Sequence, residues 1–200
     1  MSEPQTAPSG LRPSKRYIAT HDPVTGRSTY ASAPDYVYAE FPGFGCVTRS
    51  YATSSLPARL QDDEDIKAFE SNDTVSSHTR ARDFAMPASA NKNGISTTQG
   101  VNLNVLDVIP GAVGHWHRTV SMDISICVMG ELDHELESGG KVRLYPGDHI
   151  IQRATLHRWS NSSKEQPARL IAAILPCEDF HVGGKPVQEA HFAFGEGKPQ

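Results

Sequence analysis

The stretch that decides the fold spans residues 111–161 and reads GAVGHWHRTVSMDISICVMG (111–130), ELDHELESGGKVRLYPGD (131–148) and HIIQRATLHRWSN (149–161). Short runs rich in β-branched residues alternate there with glycine-containing turns, which predicts β-strands. The stretch contains three imidazoles, His115, His117 and His157, and the carboxylate of Asp123. Neutral imidazole and carboxylate are typical ligands of a divalent transition metal with room left for a substrate.

Side chains two residues apart on a strand face the same side, so His115 and His117 can converge on one point. The same period places Asp123, Ser125, Cys127 and Met129 on one face, and Ile124, Ile126 and Val128 on the other. If Asp123 faces a site, Ser125 and Cys127 line the cavity beside it and bind substrate. The branched aliphatic residues are then expected to pack in a core.

The second half of the stretch repeats this alternation. Gly147 and Asp148 predict a turn into a strand that carries Gln152. His157, Trp159 and Asn161 alternate after it, so the indole of Trp159 flanks the imidazole of His157. We interpret Gln152 and Trp159 as substrate-binding residues, with plain packing as the alternative.

These residues resemble the two motifs of the cupins. The first cupin motif has a glycine, then His-x-His, a carboxylate and a glycine; the second has a small residue before a His, with Asn four residues later. The matching positions are Gly111, His115, His117, Asp123 and Gly130, then Pro146, Gly147, Asp148, Ala154, His157 and Asn161. The stretch is most similar to small cupins of bacteria and of fungal secondary-metabolite gene clusters. The resemblance implies an all-β fold: a single jelly-roll-like cupin barrel with an N-terminal strand extension and a short helix.

The spacing departs from the cupin pattern at two places. Five residues separate His117 from Asp123, where three or four are usual, and Gln152-Arg153-Ala154 stands where Pro-x-Gly is usual. Each departure predicts a bulge or a local kink, which can reverse the face that a side chain takes. Two readings of His115 therefore stay open: it is a ligand beside His117, or it is a base.

The resemblance implies a metal-dependent enzyme that acts on a small molecule. The implied metal is a divalent transition metal (Fe, Mn, Zn or Ni), with His115, His117, Asp123 and His157 as ligands and the three histidines as catalytic residues. We expect a lyase or isomerase, of dehydratase or decarboxylase type, acting on an oxygenated, polyketide-like carbonyl compound. The alternatives are an Fe(II)-dependent dioxygenase and a non-catalytic barrel that binds a small molecule.

The composition of the chain limits the kinds of partner that the protein is expected to bind. The 200 residues carry a net charge of −4 with no basic block, which argues against a nucleic-acid partner. No apolar run approaches the length of a membrane span, and the first residues lack an apolar signal region, so we expect a cytoplasmic protein without a membrane contact. Three widely spaced cysteines do not form a disulfide framework. By analogy with cupins, a homodimer is compatible with the sequence.

We divide the chain into four stretches. Residues 1–13 are expected to be a flexible arm, 14–100 to extend the barrel with strands and a helix over 60–71, and 101–176 to form the cupin barrel. Residues 177–200 are expected to form an aromatic tail, as a lid over the barrel mouth or as a dimer contact. His134 lies on a predicted hairpin around Ser138-Gly139-Gly140 and is expected to be exposed.

Overall fold

The computed structural model describes residues 7, 9–33, 35–36, 38–71 and 100–197. A 3-10 turn, Gln61–Asp63, leads into helix α1, Glu64–Ser71, which confirms the predicted short helix. The strands are β1 (Ile18–His21), β2 (Ser28–Ala31), β3 (Ala39–Phe41), β4 (Gly45–Ala52), β5 (Asn102–Val108), β6 (His117–Arg118), β7 (Ser121–Met129), β8 (Leu132–Leu136), β9 (Lys141–Leu144), β10 (His149–Arg153), β11 (His157–Ser160), β12 (Ala168–Pro176), β13 (His181–Val182), β14 (Lys185–Pro186) and β15 (Ala190–His191).

Two antiparallel sheets form the body of the molecule. The larger has the order β10-β7-β12-β5-β4-β3 and the smaller has the order β15-β6-β11-β8-β9. Two separate hairpins, β1–β2 and β13–β14, complete the described strands. The predicted all-β, jelly-roll-like fold is confirmed, and the predicted hairpin around Ser138-Gly139-Gly140 is the β8–β9 pair.

The apolar core lies between the two sheets, because both contribute to one cluster of buried residues. The six-stranded sheet supplies Val108, Cys127, Ala168 and Leu170, and the five-stranded sheet supplies Leu132, Leu144 and Trp159. Inward-facing side chains of this kind exclude water from the space between the sheets, which is the main favourable term in folding.

Strand β7 shows which face of the larger sheet is the inner one. Ser121, Asp123, Ser125 and Cys127 are buried, while the residues between them are not, so the predicted alternation is confirmed for these positions. The expectation that Ile124, Ile126 and Val128 pack in the core is wrong: they face outward, and Ile126 is 37% exposed. Met129 is also exposed, because the pairing of β7 with β12 shifts register between Arg169 and Leu170.

Part of the N-terminal stretch lies against the outer face of the same sheet. The Ser9 hydroxyl donates to Asp107 Oδ2 at 2.6 Å, and Arg169 Nη1 donates to the carbonyl of Arg12 at 2.9 Å. Asp107 and Arg169 form a buried ion pair beneath these contacts, 2.6 Å between Nε and Oδ1. Residues 9–12 of the predicted arm therefore cover a charge pair that would be costly to leave unpaired; residues 1–6 and 8 lie outside the described residues.

None of the helices in the described part of the chain is both long and apolar enough to cross a bilayer.

Candidate functional site

Five histidines gather between the two sheets, and we call them the imidazole cluster: His115, His117, His134, His157 and His191. The ring centroids of His117 and His157 are 4.3 Å apart, those of His115 and His117 are 4.9 Å apart, and those of His134 and His157 are 5.1 Å apart. The ring of His191 stacks on that of His117 with 11° between the planes and 6.2 Å between the centroids. The predicted histidines are thus brought together, with two more that were not predicted.

Strand pairing explains the cluster. His157 on β11 is the direct cross-strand partner of His117 on β6, and His191 on β15 is the partner of His117 from the other side. Directly opposed residues of antiparallel strands point to the same face, so three imidazoles share one face of the smaller sheet.

The expectation that His134 is exposed is wrong. It is 4% exposed, and its ring lies 4.6 Å from that of Trp159, its cross-strand partner on β11. The hairpin position suggested solvent, but β8 lies between β11 and β9, and His134 faces inward two residues from the core residue Leu132. The period of two along β8 was the signal that could have placed it.

Backbone carbonyls orient two of the rings. His117 Nδ1 lies 3.2 Å from the carbonyl oxygen of His115, and His157 Nδ1 lies 2.9 Å from that of Thr155. A carbonyl oxygen only accepts, so Nδ1 carries the hydrogen in both rings. Each Nε2 is then left with a lone pair, which is the form that binds a metal or accepts a proton.

Burial keeps these imidazoles neutral. It lowers the pKa of His115 and that of His157 to about 4 each, and the pKa of His117 falls well below its usual value because of burial and the neighbouring His157 and His115. Burial also lowers the pKa of His134. A neutral imidazole keeps its lone pair, which is the form that a metal ion requires of a histidine ligand.

The larger sheet presents a carboxyl group and an amide at the same level. Asp123 on β7 and Gln152 on β10 are direct cross-strand partners. Gln152 Oε1 accepts from His134 Nε2 at 2.9 Å, while its Nε2 donates to the carbonyl and the hydroxyl of Thr155. Gln152 therefore bridges the two sheets, and its register partner Asp123 faces the same inter-sheet space.

The carboxyl group of Asp123 has a raised pKa in this position. Its Oδ1 accepts from the Ser121 hydroxyl at 2.7 Å, and burial raises its pKa to about 6, with a further contribution from the charge of Glu189. A buried carboxyl group with few partners favours its neutral form, because the charged form is poorly solvated.

The two departures from the usual cupin spacing have separate structural causes. The residues between His117 and Asp123 carry the chain from β6 in the smaller sheet to β7 in the larger one, so the two side chains approach from different sheets. Ala154 adopts a φ of 47°, the left-handed region that favours glycine, which confirms a kink where Pro-x-Gly is usual. This kink separates β10, which carries Gln152, from β11, which carries His157.

The remaining predicted substrate-binding residues differ in their surroundings. Ser125 is buried two residues along β7 from Asp123. Cys127 lies in the hydrophobic core, where its thiol is 3.8 Å from the carbonyl oxygen of Met129 and 3.7 Å from that of Gly130. Trp159 belongs to the same core, and its ring makes an edge-to-face contact with that of His134.

The donor chemistry of the cluster fits a divalent transition metal. His117 and His157 would hold it, since each has a carbonyl-fixed ring and a free Nε2, and their rings are 4.3 Å apart. Within residues 7, 9–33, 35–36, 38–71 and 100–197, no three His, Cys, Asp or Glu side chains stand together at metal-binding distances. His115 and Asp123 would therefore have to move toward this pair to become ligands.

The C-terminal tail supplies site residues that sequence reasoning missed. His191 belongs to the imidazole cluster, Glu189 lies beside His191, and the ring of Phe194 is 4.7 Å from that of His115. Phe194 also contacts Phe44 and Phe41, with centroids 5.9 and 6.4 Å apart. The aromatic content of the tail predicted docking, but no local signal identified which residue reaches the site.

Comparison with known proteins gives the family. No family model matches the chain. Oryzines biosynthesis cluster protein J of Aspergillus oryzae is 30% identical over 176 residues, covering 88% of this chain and 89% of its own. Phomopsin biosynthesis cluster protein C' of Diaporthe leptostromiformis is 32% identical over 177 residues, covering 88% and 85%. A cupin-domain-containing oxidoreductase of Neurospora crassa, srdB, is 29% identical over 178 residues, covering 88% and 80%.

Among solved structures, the polyketide cyclase RemF from Streptomyces resistomycificus aligns with 48% of this chain and 63% of its own, with a TM-score of 0.37 and 16% identity. The sequence relatives alone carry the assignment, because they reach 30% identity and align over most of both chains. The resemblance found in the motifs is thus confirmed, and the chain belongs to the family of small cupin-domain proteins that includes members from fungal biosynthetic gene clusters.

Proposed function

We propose that this protein is an enzyme of secondary metabolism that catalyses a non-oxidative elimination or proton shift on a small hydroxylated carbonyl compound. The observation that supports it best is the imidazole cluster opposite Asp123 and Gln152, in a space enclosed by two sheets. Relatives from biosynthetic gene clusters support the metabolic setting.

The chain has groups for each part of such a reaction. His117 and His157 each keep a lone pair on Nε2, because Nδ1 donates to a backbone carbonyl, and these two lone pairs would hold a divalent transition metal. A bound metal of this kind would supply Lewis acidity toward a carbonyl oxygen. Ser125 is buried on the larger sheet and can orient a polar substrate through a hydrogen bond, and Gln152 Oε1, which accepts from His134, has a second lone pair for a substrate donor.

A proton must move in either reaction, and two groups can move it. His115 is one, as the sequence predicted, but burial lowers its pKa to about 4. Asp123 is the other, and its pKa of about 6 lies closer to physiological pH, where acid–base catalysis is most effective. In a dehydration, one such group takes the proton from carbon, and the hydroxyl group leaves as water after it has received a proton. The electron pair of the C–H bond forms the new double bond, so no oxidant is consumed.

A second candidate function is oxidoreduction with dioxygen. The relative from Neurospora crassa and one from Aspergillus ruber are both named cupin-domain-containing oxidoreductases. Two imidazoles and a carboxylate also suit Fe(II) with open coordination positions. A non-catalytic barrel that only binds a small molecule is the third alternative.

Incubation of the purified protein with a panel of small β-hydroxy and β-keto carbonyl compounds separates these three. Elemental analysis identifies the metal, mass spectrometry identifies products, and an oxygen electrode with labelled dioxygen detects oxygenation. We expect a product lighter by water or carbon dioxide, or an isomer, without oxygen consumption. Labelled oxygen in the product would establish the oxidoreductase instead, and the absence of turnover across the panel would favour the binding protein.

Histidine variants then test the site. Replacement of His157 by Ala should remove most of the bound metal, because it deletes one of the two carbonyl-oriented imidazoles. His149→Ala is the matched control, since His149 is exposed at the start of β10. His134 is unsuitable as a control because it belongs to the cluster. His115→Ala should lose turnover yet keep metal if His115 moves the proton; equal metal content in the His157 and His149 variants would reject the assignment.

A further inference from the structure

We propose that the C-terminal tail carries a second binding element of this site, in which the Nδ1 atom of His191 accepts a hydrogen bond from a hydroxyl group of an aromatic or enolic ligand. Glu189 acts as the positioning residue that orients the His191 ring. That the ligand is the substrate rests on the proposed function; the binding element itself does not.

The tail is placed over the imidazole cluster by short but specific pairing. Strand β15 pairs with β6 through Ala190 opposite Arg118 and His191 opposite His117. The amide of Phe192 donates to the carbonyl of Trp116 at 3.0 Å and extends this attachment by one residue. The His191 ring consequently stacks on His117 and lies 6.2 Å from the ring of His115.

The hydrogen bond to Glu189 decides which nitrogen of His191 is free. His191 Nε2 lies 3.4 Å from Glu189 Oε2. A carboxylate accepts, so Nε2 carries the hydrogen, and in the neutral form of the imidazole Nδ1 then keeps a lone pair. Glu189 is itself tied to the main body, because its Oε1 accepts from the amide of Val120 at 3.4 Å.

The lone pair of His191 Nδ1 is the second observation behind the proposal. His191 Nδ1 is buried and has no hydrogen-bond partner within the residues that the structure describes. An unsatisfied buried polar atom is unfavourable, and in native proteins it calls for a specific explanation. A ligand hydroxyl that donates to Nδ1 would satisfy it at the cluster that the proposed reaction uses.

The residues near His191 indicate the chemical class of the rest of the ligand. Phe194 forms an aromatic wall with Phe44 and Phe41, and its ring contacts that of His115. An aromatic or conjugated enol can place its plane on this wall while its hydroxyl group reaches His191. β15 is paired with β6 through two residues, and a short pairing of this kind opens locally more readily than a long one, which gives a ligand access to Nδ1.

The test uses phenol as the hydroxyl probe and anisole, which has the same ring without the donor, as its matched control. In metal-free protein with ¹⁵N-labelled histidine, His191 should show a protonated Nε2 and a bare Nδ1. Phenol should move the Nδ1 resonance of His191, and anisole should not. Equal responses to the two probes would show that the ring alone is bound, through apolar contacts. No response to either probe would show that Nδ1 does not accept from a phenolic hydroxyl group. Each of these results overturns the proposal.

Two substitutions at position 191 separate hydrogen bonding from packing. His191→Asn keeps an acceptor near the Nδ1 position and should retain most of the phenol affinity, whereas His191→Phe keeps the ring and should weaken binding about tenfold. Equal loss in both variants would indicate a packing role and overturn the proposal. In Glu189→Ala the two nitrogen resonances of His191 should move toward those of the exposed His21; unchanged resonances would remove Glu189 from the positioning role.

These readouts need neither metal nor turnover. A protein that binds phenol through His191 but converts no carbonyl compound would refute the proposed function alone. A protein that turns over substrate with His191→Phe at the full rate and affinity would refute the tail element alone.

Discussion

The space between the two sheets has an imidazole end and an apolar end, and the same strands build both. Strand β7 carries Asp123 toward one end and Cys127 toward the other. Strand β8 does the same with His134 and Leu132, and β11 with His157 and Trp159. Asp123 and Cys127 are two strand periods apart and the members of the other two pairs are one period apart, so the backbone geometry is shared and only the choice of side chain differs.

The two ends have opposite energetic roles. At the apolar end, burial of hydrocarbon and sulfur stabilises the fold. At the imidazole end, burial holds titratable groups in their neutral forms, which disfavours folding whenever the pH would charge them. The core therefore stabilises a site whose groups would be more stable in water, as is common where perturbed pKa values serve a function.

The largest expected effect comes from the apolar end. Replacement of Leu132, which is 0% exposed, by Ala should lower the free energy of unfolding by about 2–5 kcal/mol, because it leaves a cavity between the sheets. Val142→Ala on the neighbouring strand β9 is the control; Val142 is 50% exposed, and its replacement should change stability by less than about 0.5 kcal/mol. Urea unfolding measures both.

If the two ends are independent, folded Leu132→Ala protein should keep the metal content of the natural chain. Loss of metal in the folded fraction would show that the core also sets the geometry of the cluster. Similar destabilisation by both substitutions would contradict the placement of Leu132 at the centre of the core.

Sequence patterns predicted the apolar alternation and the meeting of His117 with His157. The alternation is a local pattern. A His-x-His motif and a later His on another strand come together when their strands pair, which is what the motif predicted for His117 and His157. The outward position of Ile126 was not predictable from β7 alone, because the period of two separates the faces without saying which one is inner. The burial of Asp123 identifies its face of β7 as the inner one, and that burial depends on the second sheet, which the sequence of β7 does not reveal.

His134 and His191 were missed for different reasons. The signal for His134 was present in its spacing from Leu132, but the nearby Ser138-Gly139-Gly140 turn suggested a solvent-exposed hairpin. His191 lies far from His117 along the chain, and its place depends on a two-residue pairing between β15 and β6. Long-range contacts of that kind leave no periodic trace in the sequence.

The second prediction concerns the pH dependence of stability in metal-free protein. Folding lowers the pKa of His157 from 6.5 to about 4, so its contribution is present above pH 6.5 and is lost as the pH falls toward 4. Folding raises the pKa of Asp123 from 3.8 to about 6, so its contribution is present below pH 3.8 and is lost as the pH rises toward 6. The two contributions oppose each other across one window and amount to about 3 kcal/mol each.

Substitution of each residue should reveal how the other residue makes stability depend on pH. Compared with the natural chain, Asp123→Asn should gain stability on going from pH 4 to pH 7, and His157→Asn should lose it. Chemical unfolding at several pH values measures the difference, with His149→Asn as an exposed control that leaves the profile unchanged. Parallel profiles in all four proteins would show that neither group is perturbed by burial, which would remove the contrast between the two ends.

The smallest effect is expected at the boundary between the ends, where Ser125 and Cys127 lie two residues apart on β7. Both were predicted to bind substrate, but the Cys127 thiol contacts backbone carbonyls within the core, whereas Ser125 adjoins Asp123. Cys127→Ala should therefore cost about 1 kcal/mol in unfolding free energy through lost packing and leave kcat/KM unchanged for folded enzyme. Ser125→Ala should instead lower kcat/KM about tenfold, the loss expected when one hydrogen bond to the substrate is removed. If kcat/KM fell as much for Cys127→Ala as for Ser125→Ala, Cys127 would contact the substrate, and the site would extend two residues further along β7.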